Sequence, residues 1–209
     1  MGDEAFAVFL PWVVFAVVDR WDGRGVTWGA IGALITVAAL AATSTRDFRS
    51  PNTILRGAAI WFTLLAIAGF FYGSPTSFLG GHGRAIADAG FAVIAFASLA
   101  FTPISEHYVK LRVRPSLWKA PGFDRLNTLI TLIWGATFAL VSCSYLAAAW
   151  ADSGPGYTVF AWVLPIALGA VALHRSHIAG EDFIEQNATR LDSHALLDLA
   201  FGLDAARYE

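Results

Sequence analysis

Between Arg125 and Asp152 the sequence reads LNTLITLIWGATFALVSCSYLAAAWA, twenty-six consecutive residues without an acidic or basic side chain. A helix of about 20 predominantly apolar residues is long enough to cross a hydrocarbon core of about 30 Å. The stretch therefore predicts a transmembrane helix over residues 126–150.

Four more long uncharged stretches divide the rest of the chain. They predict spans at residues 26–43, 54–72, 85–103 and 157–174. A shorter apolar run, Ala5 to Val18, predicts a sixth span, with Arg20 and Trp21 placed to anchor its far end. We therefore expect an all-α fold with six transmembrane helices. Five spans remain the alternative if this first run does not cross.

The overall composition agrees with a membrane protein. Apolar residues make up 56% of the chain, charged residues only 14%, and the mean hydropathy is +0.57. A soluble domain usually carries about 25% charged residues, because its surface faces water. The composition therefore argues against a soluble globular protein.

Basic residues are distributed unevenly between the two sides of the predicted membrane. With six spans, the N-terminus, residues 44–53, residues 104–125 and the C-terminal tail share one side. That side and its flanks hold eleven of the fourteen Lys and Arg residues, whereas the other side holds Arg20, Arg24 and Arg84. Short loops rich in Lys and Arg stay in the cytoplasm, so we predict that both termini are cytoplasmic. No Lys or Arg precedes the first span, so the count does not test whether that helix crosses.

One acidic residue, Asp88, falls inside a predicted span. An intramembrane carboxylate suggests a functional site, here a proton or ion relay, because burying it is costly. The structural alternative is an ion pair with Arg84, which lies four residues earlier and on the same helical face. Both interpretations stay open at the level of sequence.

Three histidines, His107, His174 and His177, fall at the predicted cytoplasmic interface, with Glu106 and Glu181 nearby. Imidazole and carboxylate groups together could hold a divalent metal ion. Alternatively, His174 and His177 only occupy a helix C-terminus, where cationic side chains are favourable. Because the sequence contains no metal-ligand motif such as HExxH and no GxSxG motif, we predict no metal, no other cofactor and no catalytic residue.

The predicted cytoplasmic face carries charges of both signs. Residues 104–125 have a net charge of +3 and offer three candidate partner-binding residues, Lys110, Arg112 and Arg114. Anionic headgroups attract such basic clusters, so membrane lipids are expected partners. The chain then divides into a helical bundle, residues 1–177, and an acidic tail, residues 178–209, with a net charge of −5.

The acidic tail contains one amphipathic segment. Leu196, Leu199 and Leu203 fall on one helical face, with Asp192 or Ser193 as the predicted N-cap. An acidic helix is not expected to lie on an anionic membrane. We therefore predict that it docks on the basic loop 104–125, on a second copy of the chain or on a membrane-protein partner.

Four short segments carry a family resemblance. They are FLPWVVF at 9–15, TPI at 102–104, RLN at 125–127 and WGATF at 134–138. In order and spacing along residues 1–174 they resemble the bacterial YciB family, also called the intracellular septation protein A family. The acidic tail and the outer-loop sequence GGHG have no counterpart in that resemblance.

The resemblance implies a multi-pass protein of the bacterial cytoplasmic membrane, involved in envelope maintenance and septation and without an established cofactor. Together with the topology, it predicts a non-enzymatic membrane scaffold that acts as a homo-oligomer or with a membrane-protein partner, and no nucleic-acid partner. The alternatives are a small oligomeric transporter or channel using Asp88, or an accessory subunit of a larger membrane complex.

Overall fold

The computed structural model describes residues 7–19, 25–44, 53–74, 76–113, 117–151 and 154–200. Within these residues the secondary structure is helical, and no strand occurs. The predicted all-α fold is therefore confirmed.

The helices follow one another with short connections. They are α1 Leu10–Val18, α2 Gly25–Ser44, α3 Thr53–Tyr72, α4 Phe78–Ser98, α5 Glu106–Arg112, α6 Phe123–Ala151, α7 Pro155–Thr158 and, after a π-helical turn at Val159–Val163, α8 Leu164–Ala200.

Four helices are long and apolar enough to cross a membrane. They are Gly25–Thr43, Thr53–Tyr72, Phe123–Ala151 and Pro155–Asn187. The first three coincide with predicted spans, whereas the fourth contains the predicted span 157–174 and extends beyond it to Asn187. The shorter α1 has nine residues and is only about 14 Å long, and α4 contains Arg84 and Asp88. Within the described residues the protein is thus helical, with four candidate spans.

The end of α4 differs from the prediction. A span over residues 85–103 was expected, but the helix runs from Phe78 to Ser98. The Ser98 hydroxyl accepts a hydrogen bond from the Ile104 backbone N–H at 3.2 Å, which stabilises the turn that follows the helix. Pro103 in the same turn has no N–H to continue a helix. Local side-chain bonding and a proline therefore end α4 five residues early.

Helix α4 lies at the centre of the bundle, where it contacts α1, α2, α3 and α6. Its position depends on small residues. A Cβ added to Gly90 would lie 2.0 Å from the Trp61 indole of α3, so only glycine allows this approach. Helices in a membrane associate through close van der Waals packing of this kind.

Helix α1 inserts into the bundle core. Trp12 is 4% exposed, and its ring centroid lies 5.1 Å from that of Phe62 and 5.0 Å from that of Phe91. The indole Nε1–H of Trp12 donates to the Ala87 carbonyl at 3.0 Å. The first apolar run is therefore a packed element of the bundle.

Helix α8 continues without a break to Ala200. The predicted N-cap at Asp192 or Ser193 is therefore wrong, because the backbone is already helical when it reaches these residues. Leu196 and Leu199 lie in this helix, but the description of side chains ends at residue 187, and Leu203 lies outside the described residues.

The first part of the acidic tail docks on the basic loop. Phe183 is 6% exposed, and its ring lies 6.1 Å from the ring of Phe123. Around this pair is a second apolar cluster, formed with Val109, Val113, Leu117 and Leu126. Among the residues whose side chains are described, this contact is apolar. For residues 192–203, the docking prediction concerns side chains that lie outside the described part of the chain.

Candidate functional site

A cavity of about 780 Å³, the large cavity, lies at one end of the bundle. Its wall is formed where the N-terminal ends of α1, α3 and α6 meet the segment after α4 and the middle of α8. By the distribution of basic residues, this is the predicted cytoplasmic end. The volume falls within the range of about 300–1,000 Å³ that is usual for small-molecule sites.

The deep part of the large cavity is apolar and aromatic. The Phe9 ring lies 4.4 Å from that of Trp134 and 5.6 Å from that of Phe91, and all three line the wall. Ala170 and Leu173 of α8 face them. A ligand in this part of the cavity would contact hydrocarbon and aromatic surfaces.

The four segments that carry the family resemblance, two of them on α6, all reach this cavity. Phe9, Ile104, Leu126 and Trp134 all line it, and they come one each from the FLPWVVF, TPI, RLN and WGATF segments. The residues singled out by sequence pattern are thus brought together by the fold.

Polar groups follow the apolar ones along α8. After Ala170 and Leu173, the wall is continued by His174, Ser176, His177 and Glu181. His177 Nε2 lies 3.2 Å from Glu181 Oε1. The lining of α8 extends to Ile184, which makes the cavity about 21 Å long at 1.5 Å per residue. We call the part lined by His174, Ser176, His177 and Glu181 the mouth of the cavity.

The Ser176 hydroxyl is the most informative group at the mouth. Its Oγ is buried and has no hydrogen-bond partner among the described residues. Buried hydroxyls in native proteins nearly always have a partner. The atom therefore marks a position where the cavity offers an unused hydrogen bond.

The predicted histidine cluster is brought together only in part. His174 and His177 line the large cavity, whereas His107 is half-buried beside it, with its ring 5.3 Å from that of the lining residue Tyr108. Burial lowers the pKa of His107, and the charge of Lys110 lowers it further, so this ring is neutral at neutral pH. Within the described residues, no group of three His, Cys, Asp or Glu side chains is close enough to hold a metal ion.

The candidate partner-binding residues of the basic loop are described only in part. Lys110 pairs with Glu106 and lies 5.6 Å from the centroid of the Trp118 ring. The side chain of Arg112, and Arg114 as a whole, lie outside the described part of the chain.

A second, smaller cavity of about 150 Å³ lies at the opposite end of the bundle. Arg84, Asp19, His82, Tyr145 and Tyr157 line it, together with alanines and Gly81. Here the end of α1, the start of α4, the end of α6 and the start of the C-terminal helix come together. The two cavities therefore lie at the two ends of the same helices.

Arg84 ties these elements to one another. Its side chain is buried, with Nε 3.8 Å from Asp19 Oδ2, and it donates to the Ala16 carbonyl of α1. Its guanidinium lies 5.8 Å from the centroid of the Tyr145 ring and 5.6 Å from that of Trp162. One cation thus links α1 to three other helical segments.

Arg84 forms its ion pair with Asp19, and its charge also acts on Asp88, the partner expected from sequence spacing. Asp88 is 8% exposed, and it lies one turn deeper on the α4 face that also carries Phe91. It lines neither of the two cavities. Its role as a proton or ion relay remains a prediction.

Sequence reasoning missed Asp19, Ser176 and Tyr108. Asp19 is one of several acids on the same predicted side as Arg84, and the sequence does not distinguish it from them. Ser176 stands between two candidate histidines, and Tyr108 directly follows the third. Their importance depends on which helix faces meet, which local spacing does not reveal.

In comparisons with known proteins, the chain matches no family model, no curated protein and no solved structure.

Proposed function

We propose that this chain is a multi-pass membrane protein that binds an amphiphile in the large cavity and acts by binding rather than by catalysis. The observation that carries the proposal is the order of the lining residues. Apolar side chains at the level of Phe91, Trp134 and Ala170 give way, along α8, to His174, Ser176, His177 and Glu181. An amphiphile has the same order, with a hydrocarbon part joined to a polar end.

The membrane setting favours an amphiphile over a water-soluble ligand. Three helices of membrane-spanning length, Thr53–Tyr72, Phe123–Ala151 and Pro155–Asn187, contribute residues to the cavity wall, so molecules with hydrocarbon chains are the most abundant ones near it. Moving an alkyl chain from lipid into an apolar cavity gains little free energy, because the lipid is equally apolar. Recognition must therefore come from shape and from the polar mouth.

The topology belongs to the same proposal. We propose six spans with both termini in the cytoplasm of a bacterial inner membrane. The distribution of basic residues supports this orientation, and the arrangement of helix ends around the two cavities supports alternating helix directions.

The YciB resemblance adds a scaffold role in envelope maintenance or septation to the proposed function. Its support is that each of the four segments carrying the resemblance contributes a residue to the large cavity.

Filling the cavity tests the proposal. Ala170→Trp places an indole on the α8 surface that lines the cavity, whereas Ala167→Trp places the same group one turn earlier, away from the lining. We expect native mass spectrometry to find bound lipid on the unmodified protein and on Ala167→Trp. The Ala170→Trp variant should retain at least about tenfold less lipid, which corresponds to a loss of about 1.4 kcal/mol in binding free energy. Equal lipid retention by the two variants would rule out this cavity as the binding site.

A further inference from the structure

We propose that the amphiphile carries an anionic headgroup, a phosphate or carboxylate, which binds at the mouth of the large cavity beside Ser176 and His174. This inference rests on the proposed function and names the ligand class that the mouth would select. Three features of the mouth support it: the unpartnered Ser176 hydroxyl, the contact between His177 and Glu181 and the neighbouring basic loop.

The unused donor is the Ser176 hydroxyl. A serine in a helix commonly bonds a backbone carbonyl three or four residues earlier, but Ser176 Oγ is buried with no partner among the described residues. Because Ser176 lines the cavity, an oxygen of a bound headgroup is placed to accept this hydrogen bond. A phosphate or carboxylate oxygen is the strongest acceptor that a lipid can present.

His174 is a second hydrogen-bond donor at the mouth and also favours a ligand with an acceptor group. His174 lines the mouth two residues before Ser176, and an imidazole has at least one N–H donor in either protonation state. His177 Nε2 lies 3.2 Å from Glu181 Oε1, within hydrogen-bond distance, so the carboxylate that lines the mouth already has a partner.

The opposite wall of the mouth belongs to the basic loop. Ser105, Tyr108 and Val109 line the cavity from this loop, whose residues 104–125 carry a net charge of +3. A headgroup between α5 and α8 would lie beside this loop at the predicted cytoplasmic surface, where basic clusters attract anionic lipids.

Lipids with identical acyl chains isolate the headgroup contribution. In mild detergent, native mass spectrometry would titrate the protein with dioleoyl phosphatidylglycerol, with dioleoyl phosphatidylcholine, and with inorganic phosphate as competitor. We expect the phosphatidylglycerol to bind at least about tenfold more tightly than the phosphatidylcholine, a difference of about 1.4 kcal/mol. We expect inorganic phosphate at the same concentration to displace neither lipid, because it lacks the hydrocarbon part.

Three variants then test whether Ser176 causes the preference for phosphatidylglycerol over phosphatidylcholine. Ser176→Ala should reduce the preference for phosphatidylglycerol severalfold and leave phosphatidylcholine binding unchanged, whereas Ser176→Thr keeps a hydroxyl and should retain the preference. Arg175→Gln removes a positive charge from the adjacent exposed position, which does not line the cavity, and should also retain it.

Two results would overturn the inference and leave the proposed function standing. One is equal binding of the two lipids, and the other is a preference that survives in Ser176→Ala but disappears in Arg175→Gln. Displacement of the lipid by inorganic phosphate alone would overturn it as well, since the site would then be a phosphate site that does not require a chain. Failure of both lipids to bind the unmodified protein would overturn the proposed function itself.

Discussion

Replacing Arg84 with alanine should lower the free energy of unfolding by about 3–5 kcal/mol, because removing one partner of a buried ion pair leaves the other charge uncompensated. Arg84 is 9% exposed and pairs with Asp19 at 3.8 Å. The substitution also removes the hydrogen bond to the Ala16 carbonyl near the end of α1 and the contacts with two aromatic rings. Unfolding in mild detergent, followed by circular dichroism, measures the change.

A double substitution provides the matched control. Replacing a buried ion pair with apolar residues of similar size is often close to neutral. Arg84→Met combined with Asp19→Leu should therefore recover most of the stability lost in Arg84→Ala. A loss below about 1 kcal/mol for Arg84→Ala, the value typical of an exposed pair, would contradict the structural role assigned to this residue.

Gly90→Ala should lower the free energy of unfolding by about 1–3 kcal/mol, the usual cost of overpacking a close contact. The added Cβ would lie 2.0 Å from the Trp61 indole, so the ring or one of the two helices must move. Because α4 contacts four other helices, this displacement would disturb the centre of the bundle. The same unfolding assay measures the effect.

Gly169 offers the control for this substitution. It also lies in a helix of a candidate span, but a Cβ added there would have nothing within 4 Å. Gly169→Ala should therefore leave the stability unchanged or raise it by up to about 1 kcal/mol, the difference in helix propensity. Similar losses for the two variants would show that Gly90 is not a packing contact.

The spans were predictable because length and the absence of charge are properties of each segment alone. Residues 26–43, 54–72 and 126–150 agree with α2, α3 and α6 to within a few residues. The end of α4 was not predictable in this way, since it depends on a bond between the Ser98 hydroxyl and the Ile104 backbone. The continuous α8 has a similar explanation, because an established helix propagates without needing a new N-cap.

The candidate site was predictable only in part. His174 and His177 stood out as polar residues at a predicted interface, and both line the large cavity. The cavity itself depends on how separate helix ends meet. The partner of Arg84 illustrates the same limit: sequence spacing favoured Asp88, whereas tertiary packing brings Asp19 of another helix to the guanidinium.

A photoactivatable lipid with a diazirine at the end of its acyl chain tests the central claim, amphiphile binding in the large cavity, most directly. After irradiation in membranes, peptide mass spectrometry identifies the labelled residues. We expect adducts concentrated on Phe91, Trp134 and Leu173, which line the cavity, and a loss of these adducts in Ala170→Trp. Labelling spread over exposed residues such as Ile166 and Val171, without enrichment at the cavity, would contradict the account.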